Sequence, residues 1–177
     1  MLLILSTFKS LNVWPDKSLF LNTERSFKGT PLNLPPYPFR LKEAHNRVYI
    51  FDELRKKYLV VTPEEWVRQH WIQYLINQKG YPKNLIQSEG GLKMNELQKR
   101  TDLVIFNRDR ERILIAEFKA PHIKITQDVF DQIARYNFIH RVPLLLVSNG
   151  LTHFYCKINF AAGNYQFLED IPAYAPI

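Results

Sequence analysis

Arg112-Ile113-Leu114-Ile115-Ala116-Glu117-Phe118-Lys119 is the stretch on which the reading of this chain turns. Positions 113 to 116 are apolar without a break, so a strand here has both faces buried and lies in the middle of a sheet. Glu117 and Lys119 come at its end. Two apart, they share one face of the strand, and Phe118 points to the other. Upstream, Asp102-Leu103-Val104-Ile105-Phe106 is a second strand candidate, and Asn107 to Glu111 is a charged turn between the two. If the strands pair as a hairpin, Asp102 lies opposite the end of the central strand. Two carboxylates and an ammonium then converge at one rim of the sheet. Two carboxylates are hard oxygen ligands suited to Mg2+. A lysine beside them can stabilise charge developing at a phosphate. The plainer alternative is a strand that exits to solvent through two charged residues, with Asp102 serving the turn.

Outward from this pair the chain alternates in type. Thr62 is a candidate N-cap, Pro63 suits the first helical position, and Glu65 completes a T-x-x-E capping box. Val67, Trp71, Tyr74 and Leu75 recur at helical spacing through Asn77, and Gly80 and Pro82 end the helix. Leu85 to Asn95, interrupted by Gly90-Gly91, is a further strand candidate. After Pro121 a second helix spans about 127–140 with Thr126 as cap. Leu144–Val147 and His153–Phe160 read as strands around the Ser148-Asn149-Gly150 loop, and Tyr165–Leu168 as an edge strand. Val48–Phe51 is a short strand before the first helix, followed by the basic triplet Arg55-Lys56-Lys57. Helix, three strands, helix, then strands predicts an α/β domain with a mixed sheet and helices packed on its faces.

The chain has 177 residues, enough for one domain with a sizeable core. Residues 31–38 hold four prolines in eight positions and read as an extended connector. Residues 1–30 show no clear period, so the organised domain is expected over 31–177 with 1–30 as an extension. The formal net charge of +7 favours an anionic partner such as nucleic acid. Cys156 is the single cysteine, which excludes an intrachain disulfide. Met1–Leu5 is too short for a signal peptide, and no stretch approaches the roughly 20 apolar residues of a membrane span. A cytoplasmic protein is expected. The five histidines have no zinc spacing. Lys99, Arg100, Arg108, Arg110 and Arg112 are candidate phosphate contacts, although such charges more often make a solvated face.

Asp102, followed fifteen positions later by Glu117-x-Lys119, resembles the PD-(D/E)XK nuclease superfamily, with Thr101 standing where the motif has proline. Gln132-x-x-x-Tyr136 is similar to the Q-x-x-x-Y signature of the subgroup that includes the restriction subunits of type I restriction enzymes. The likeness to their N-terminal nuclease domain runs from about Leu32 to Pro172. It is carried by Leu32-Asn-Leu-Pro-Pro-Tyr-Pro38, Thr62-Pro-Glu-Glu-Trp-Val-Arg-Gln69, Lys99-Arg-Thr-Asp102 and Glu117-Phe-Lys-Ala-Pro121. The resemblance implies a restriction-endonuclease-like fold with core order α-β-β-β-α-β. It implies that Asp102 and Glu117 bind Mg2+ or Mn2+, that Lys119 is catalytic, and that Gln132 and Tyr136 support the site or contact DNA.

Family members often add an acid from the first helix, and Glu64 and Glu65 both qualify. At about 100° per residue, Glu64 falls on the face of Val67, Trp71 and Leu75 and is expected to point inward. Glu65 sits to the side, where capping explains it. Arg68 is a candidate partner for Glu64. The chain lacks a G-x-x-x-x-G-K-[ST] loop, so no ATP requirement is expected. Three readings stay open: a metal-dependent deoxyribonuclease acting on DNA, a DNA-binding or subunit-interaction module that does not cut, and a structural interaction domain. Other restriction-modification subunits are expected partners on the first two, and a homodimer is compatible with double-strand cleavage.

Overall fold

A computed structural model describes residues 31–88 and 101–175. The expected extension at 1–30, the Gly90-Gly91 interruption and the Lys99-Arg100 pair lie outside the described residues. Among the described residues nine strands form two sheets. A three-stranded antiparallel sheet is built from β1 (Leu41–Ala44), β2 (Arg47–Asp52) and β3 (Lys57–Val60). A six-stranded mixed sheet runs β4 (Ile86–Ser88), β5 (Leu103–Phe106), β6 (Arg112–Phe118), β7 (Leu144–Ser148), β8 (His153–Asn159), β9 (Asn164–Leu168) in spatial order. Helix α1 (Pro63–Asn77) precedes β4, and α2 (Gln127–His140) links β6 to β7. The order α1-β4-β5-β6-α2-β7 is the expected restriction-endonuclease-like core.

The crossover through α2 makes β6 and β7 parallel, and every other pair in the sheet is antiparallel. That puts the apolar strand β6 inside the sheet, as its unbroken hydrophobic run requires. Alternation along the strands splits the core in two. Leu103, Ile105, Leu114, Ala116 and Phe118 pack with Val67, Trp71, Ile72 and Leu75 of α1. Val104, Ile115, Leu145 and Val147 pack on the opposite face with Phe130 and Ala134 of α2. Trp71 anchors the first cluster. Its indole lies nearly parallel to the Phe118 ring, 6.2 Å between centroids, and its Nε1 donates to Ser148 Oγ at 2.8 Å.

Local chemistry fixes the connections. Thr62 Oγ1 accepts the Glu65 N–H at 3.0 Å and Thr126 Oγ1 the Val129 N–H at 3.4 Å, so both expected N-caps form. The 107–111 hairpin is closed by Asn107, whose N–H reaches the Glu111 carbonyl and whose side-chain oxygen accepts the Glu111 N–H. Ser148 ends β7, and the chain turns at Asn149-Gly150. Asn149 Oδ1 caps the N–H groups of Leu151 and Thr152, and Gly150, at φ +83°, faces Leu32 of the connector so closely that a Cβ would meet it at 2.6 Å. The Gly150 carbonyl accepts the Asn33 N–H, tying the proline-rich segment to the sheet.

The three-stranded sheet departs from the expected single sheet. β1 and β2 join through His45-Asn46, both at positive φ, a turn of the primed kind that suits a two-residue hairpin. The β2–β3 turn is held by Asp52, whose Oδ1 accepts the N–H groups of Leu54 and Arg55 and whose Oδ2 takes Arg55 Nε at 2.7 Å. Arg55 then faces Glu65 at 3.6 Å, so this sheet abuts the first turn of α1. Among the described residues no helix is long and apolar enough to cross a membrane.

Candidate active site

The register of β5 and β6 pairs Leu103 with Ala116, so one step further Asp102 stands opposite Glu117. Asp102 Oδ2 accepts the Phe118 N–H at 2.6 Å, a bond that pins its carboxylate to the end of the central strand. Glu117 Oε1 accepts from Lys119 Nζ at 2.8 Å. The Lys119 N–H bonds the Ser148 carbonyl, which extends the β6–β7 ladder by one residue and holds Lys119 in strand alternation with Glu117. Asp102, Glu117 and Lys119 therefore share one rim, and Phe118 turns away from them into the α1 core, as the spacing requires.

The electrostatics of this rim are unlike those of an ordinary surface. Burial pushes the Asp102 carboxyl up to about 7, the charge of Glu117 adds to the push, and Glu64 contributes further. The Phe118 N–H and the charge of Arg68 oppose it without cancelling it. At Lys119, burial works against the charged form, but Glu117, then Asp102 and Glu64, outweigh it and raise the amine above its ordinary value. The Lys119 side chain is only about a third exposed, and that of Glu117 about a quarter. Two acids crowded with a single bonded lysine form a site with an uncompensated demand for positive charge.

Glu64 acts on both Asp102 and Lys119, so the first helix does bring an acid to the rim. Its side chain is exposed, not inward as the helical arithmetic predicts. It stands in the first turn of α1. Glu65 is the buried acid of the pair. It takes Gln69 Nε2 at 2.8 Å, pairs with Arg68 and faces Arg55, so an ion network explains its carboxylate better than the reciprocal half of a capping box. The expected Arg68–Glu64 pair is thus an Arg68–Glu65 pair, with Arg68 also reaching Ser88 Oγ. Gln132 and Tyr136 fall on α2, one turn apart, over the sheet face that carries the triad; their side chains lie outside what is described.

Among the described residues no three His, Cys, Asp or Glu side chains gather as a ready ligand set. Glu64 therefore flanks the Asp102–Glu117 pair and does not close a cage with it. Sequence reasoning missed the Phe118 N–H as the partner of Asp102 and the charge of Arg68 that acts on it. The first follows from the hairpin register once it is known, and the second had no signal in the spacing.

An α-β-β-β-α-β core with these residues at the end of its central strand defines a restriction-endonuclease-like domain. Residues 63–172 match the family model of the type I restriction enzyme R protein N terminus (HSDR_N), more than half of the chain, and the chain belongs to that family. Among solved structures it is similar to a fragment of an HsdR subunit of a type I restriction enzyme from Vibrio vulnificus YJ016, at 19% identity and a TM-score of 0.46. That likeness covers 62% of this chain and 23% of the other. No curated protein matches the sequence.

Proposed function

We propose that this domain, spanning residues 31–177, is a metal-dependent deoxyribonuclease that hydrolyses phosphodiester bonds at the Asp102–Glu117–Lys119 rim. The observation that carries the reading is geometric: Asp102, pinned by the Phe118 N–H, stands opposite Glu117 at the end of a central strand, with Lys119 bonded to Glu117, and burial and Glu117 together push the Asp102 carboxyl up. Such perturbation clusters where chemistry is done. The donor set fits a hard divalent cation such as Mg2+ or Mn2+. It consists of two carboxylates, and Mg2+ commonly takes one or two and keeps water on its remaining positions. When bound, such an ion supplies positive charge that polarises a phosphodiester and acidifies water at the site.

The chain's own residues do the rest. Asp102, held by the Phe118 N–H, and Glu117 offer oxygens on one rim. Lys119 keeps its proton near neutral pH and can turn its ammonium from Glu117 to a phosphate oxygen, where it stabilises the charge that develops on attack. Gln132 and Tyr136 on α2 support the site or contact DNA, and Glu64 at the open rim tunes its charge. Family membership supports DNA and the other subunits of a restriction-modification complex as partners. The cleavage step itself calls for no ATP. Cutting both strands would ask for two copies of the site.

The test is incubation of the purified protein with supercoiled, linear and single-stranded DNA in Mg2+, Mn2+ or EDTA, beside Lys119→Ala. Metal-dependent cleavage that the variant loses supports the nuclease. DNA binding without cleavage, unchanged in Lys119→Ala, favours the non-cutting module instead.

A further inference from the structure

The outer face of the three-stranded sheet carries a pattern that the triad does not use. Residues paired across the strands share a face. Lys42 pairs with Tyr49 and Tyr49 with Val60; Ala44 pairs with Arg47; Phe51 pairs with Tyr58, and the Phe51 N–H bonds the Arg40 carbonyl. The outward strand positions, with Arg40 at the start of β1, thus hold three aromatic rings and three cations and no acid. The opposite face takes the apolar Leu41, Val48, Ile50 and Leu59 together with Glu43, Asp52 and Lys57. Tyr58 is 38% exposed, one of three large hydrophobic residues so exposed among those described.

The cations lie on the rings. The Arg40 guanidinium is 3.8 Å from the Phe51 centroid, and Lys42 Nζ is 4.1 Å from Tyr58 and 5.7 Å from Tyr49. The Phe51 and Tyr58 rings meet edge to face at 5.2 Å. Arg40 is partly neutralised by Glu53 in the following turn, whereas Lys42 and Arg47 stand exposed. Flat rings and a flat guanidinium interleaved with flexible ammonium groups match the alternation of bases and phosphates in an unpaired strand. A duplex keeps its base faces stacked inside and cannot use the rings. The sheet that carries this face abuts the first turn of α1. Arg55, in the turn that ends β2, faces Glu65, the neighbour of Glu64 at the start of α1.

We propose that this face, centred on Phe51 and Tyr58 with Lys42 and Arg47 at its margin, binds an unpaired DNA strand. The proposal rests on the nuclease reading for its choice of DNA. The full chain is titrated in EDTA against a fluorescein-labelled oligothymidylate of about 15 nucleotides, read by anisotropy. Phe51→Leu with Tyr58→Leu keeps apolar bulk and removes the rings. It should weaken binding by about tenfold or more. Lys42→Glu with Arg47→Glu, at exposed positions, should weaken it as well and flatten its dependence on salt. Lys157→Glu, an exposed lysine on β8 of the other sheet, should leave it unchanged. Oligonucleotide binding that is absent in the wild type, or that survives both double variants, would overturn the platform, as would a duplex bound equally well and lost in the leucine variant. The two readings fail separately: cleavage indifferent to Lys119→Ala sinks the nuclease and leaves this binding result standing. Unchanged binding in the double variants does the reverse.

Discussion

Two clusters of acids lie on either side of the first turn of α1, and they are treated in opposite ways. On one side Asp52 and Glu65 are buried and answered. Burial works to raise Asp52, but the Arg55 backbone N–H, the Arg55 guanidinium and the Leu54 N–H outweigh it, and its carboxyl is held below the ordinary value. Glu65 has Arg68, Gln69 and Arg55. On the other side Asp102 and Glu117 stand together with one bonded lysine and a single backbone N–H, and Asp102 is driven upward. The residue types are the same, so composition does not separate the clusters. What separates them is the count of donors supplied by the fold. A cluster that folding has satisfied holds the structure, and one left short of positive charge is available for a ligand that brings it.

The largest effect should come from the satisfied side. Glu65→Ala removes the buried carboxylate that Arg68 and Arg55 share and should cost about 3–5 kcal/mol in urea unfolding. A cost below about 1 kcal/mol would mean that the network is a surface one and the contrast false. On the other side, Lys119→Ala should lower metal-dependent cleavage by about a hundredfold or more.

The third test exploits the opposite signs of the two aspartates. Because Asp102 is raised, the folded state holds a proton that the unfolded state has released, so metal-free protein loses stability as pH rises from about 4 towards about 7. Asp102→Asn should abolish that slope and leave the metal-free variant more stable than wild type above pH 7, by on the order of 1–3 kcal/mol. Asp52 is lowered, so its contribution is present at neutral pH and is lost only as acid takes it through its folded value. Asp52→Asn should therefore destabilise under the conditions in which Asp102→Asn stabilises. Equal signs in the two variants would remove the distinction. The smallest effect belongs to Glu64, whose influence on Asp102 ranks behind burial, Glu117 and the Phe118 N–H. Glu64→Gln should lower the Asp102 midpoint, followed by carboxyl NMR, by less than Glu117→Gln does.

Much of this could be read in the sequence where a local rule acts alone. Thr62-Pro63 set the start of α1, the apolar run of β6 set its central place, and two-residue alternation set Glu117 and Lys119 apart from Phe118. Asn107 to Glu111 was legible as the turn that brings Asp102 across. The three-stranded sheet was not. β1 is four residues long, and its hairpin turns on His45-Asn46 without a glycine, so the usual turn signal is missing. Glu64 and Glu65 were misjudged for a related reason. Helical arithmetic finds the face that meets one neighbour, but α1 has two. The six-stranded sheet takes its apolar side, and the Asp52–Arg55 turn buries Glu65 on the other. Nothing in the spacing of α1 announces that second neighbour.

The central claim, that the Asp102–Glu117 rim lacks a positive charge which a divalent ion would supply, is tested most directly by thermal melting of the wild type and Asp102→Asn in EDTA and in Mn2+ at pH 8. The account predicts that Mn2+ raises the wild-type midpoint and leaves the Asp102→Asn midpoint where EDTA puts it. A rise of equal size in both proteins, or none in the wild type, would contradict it.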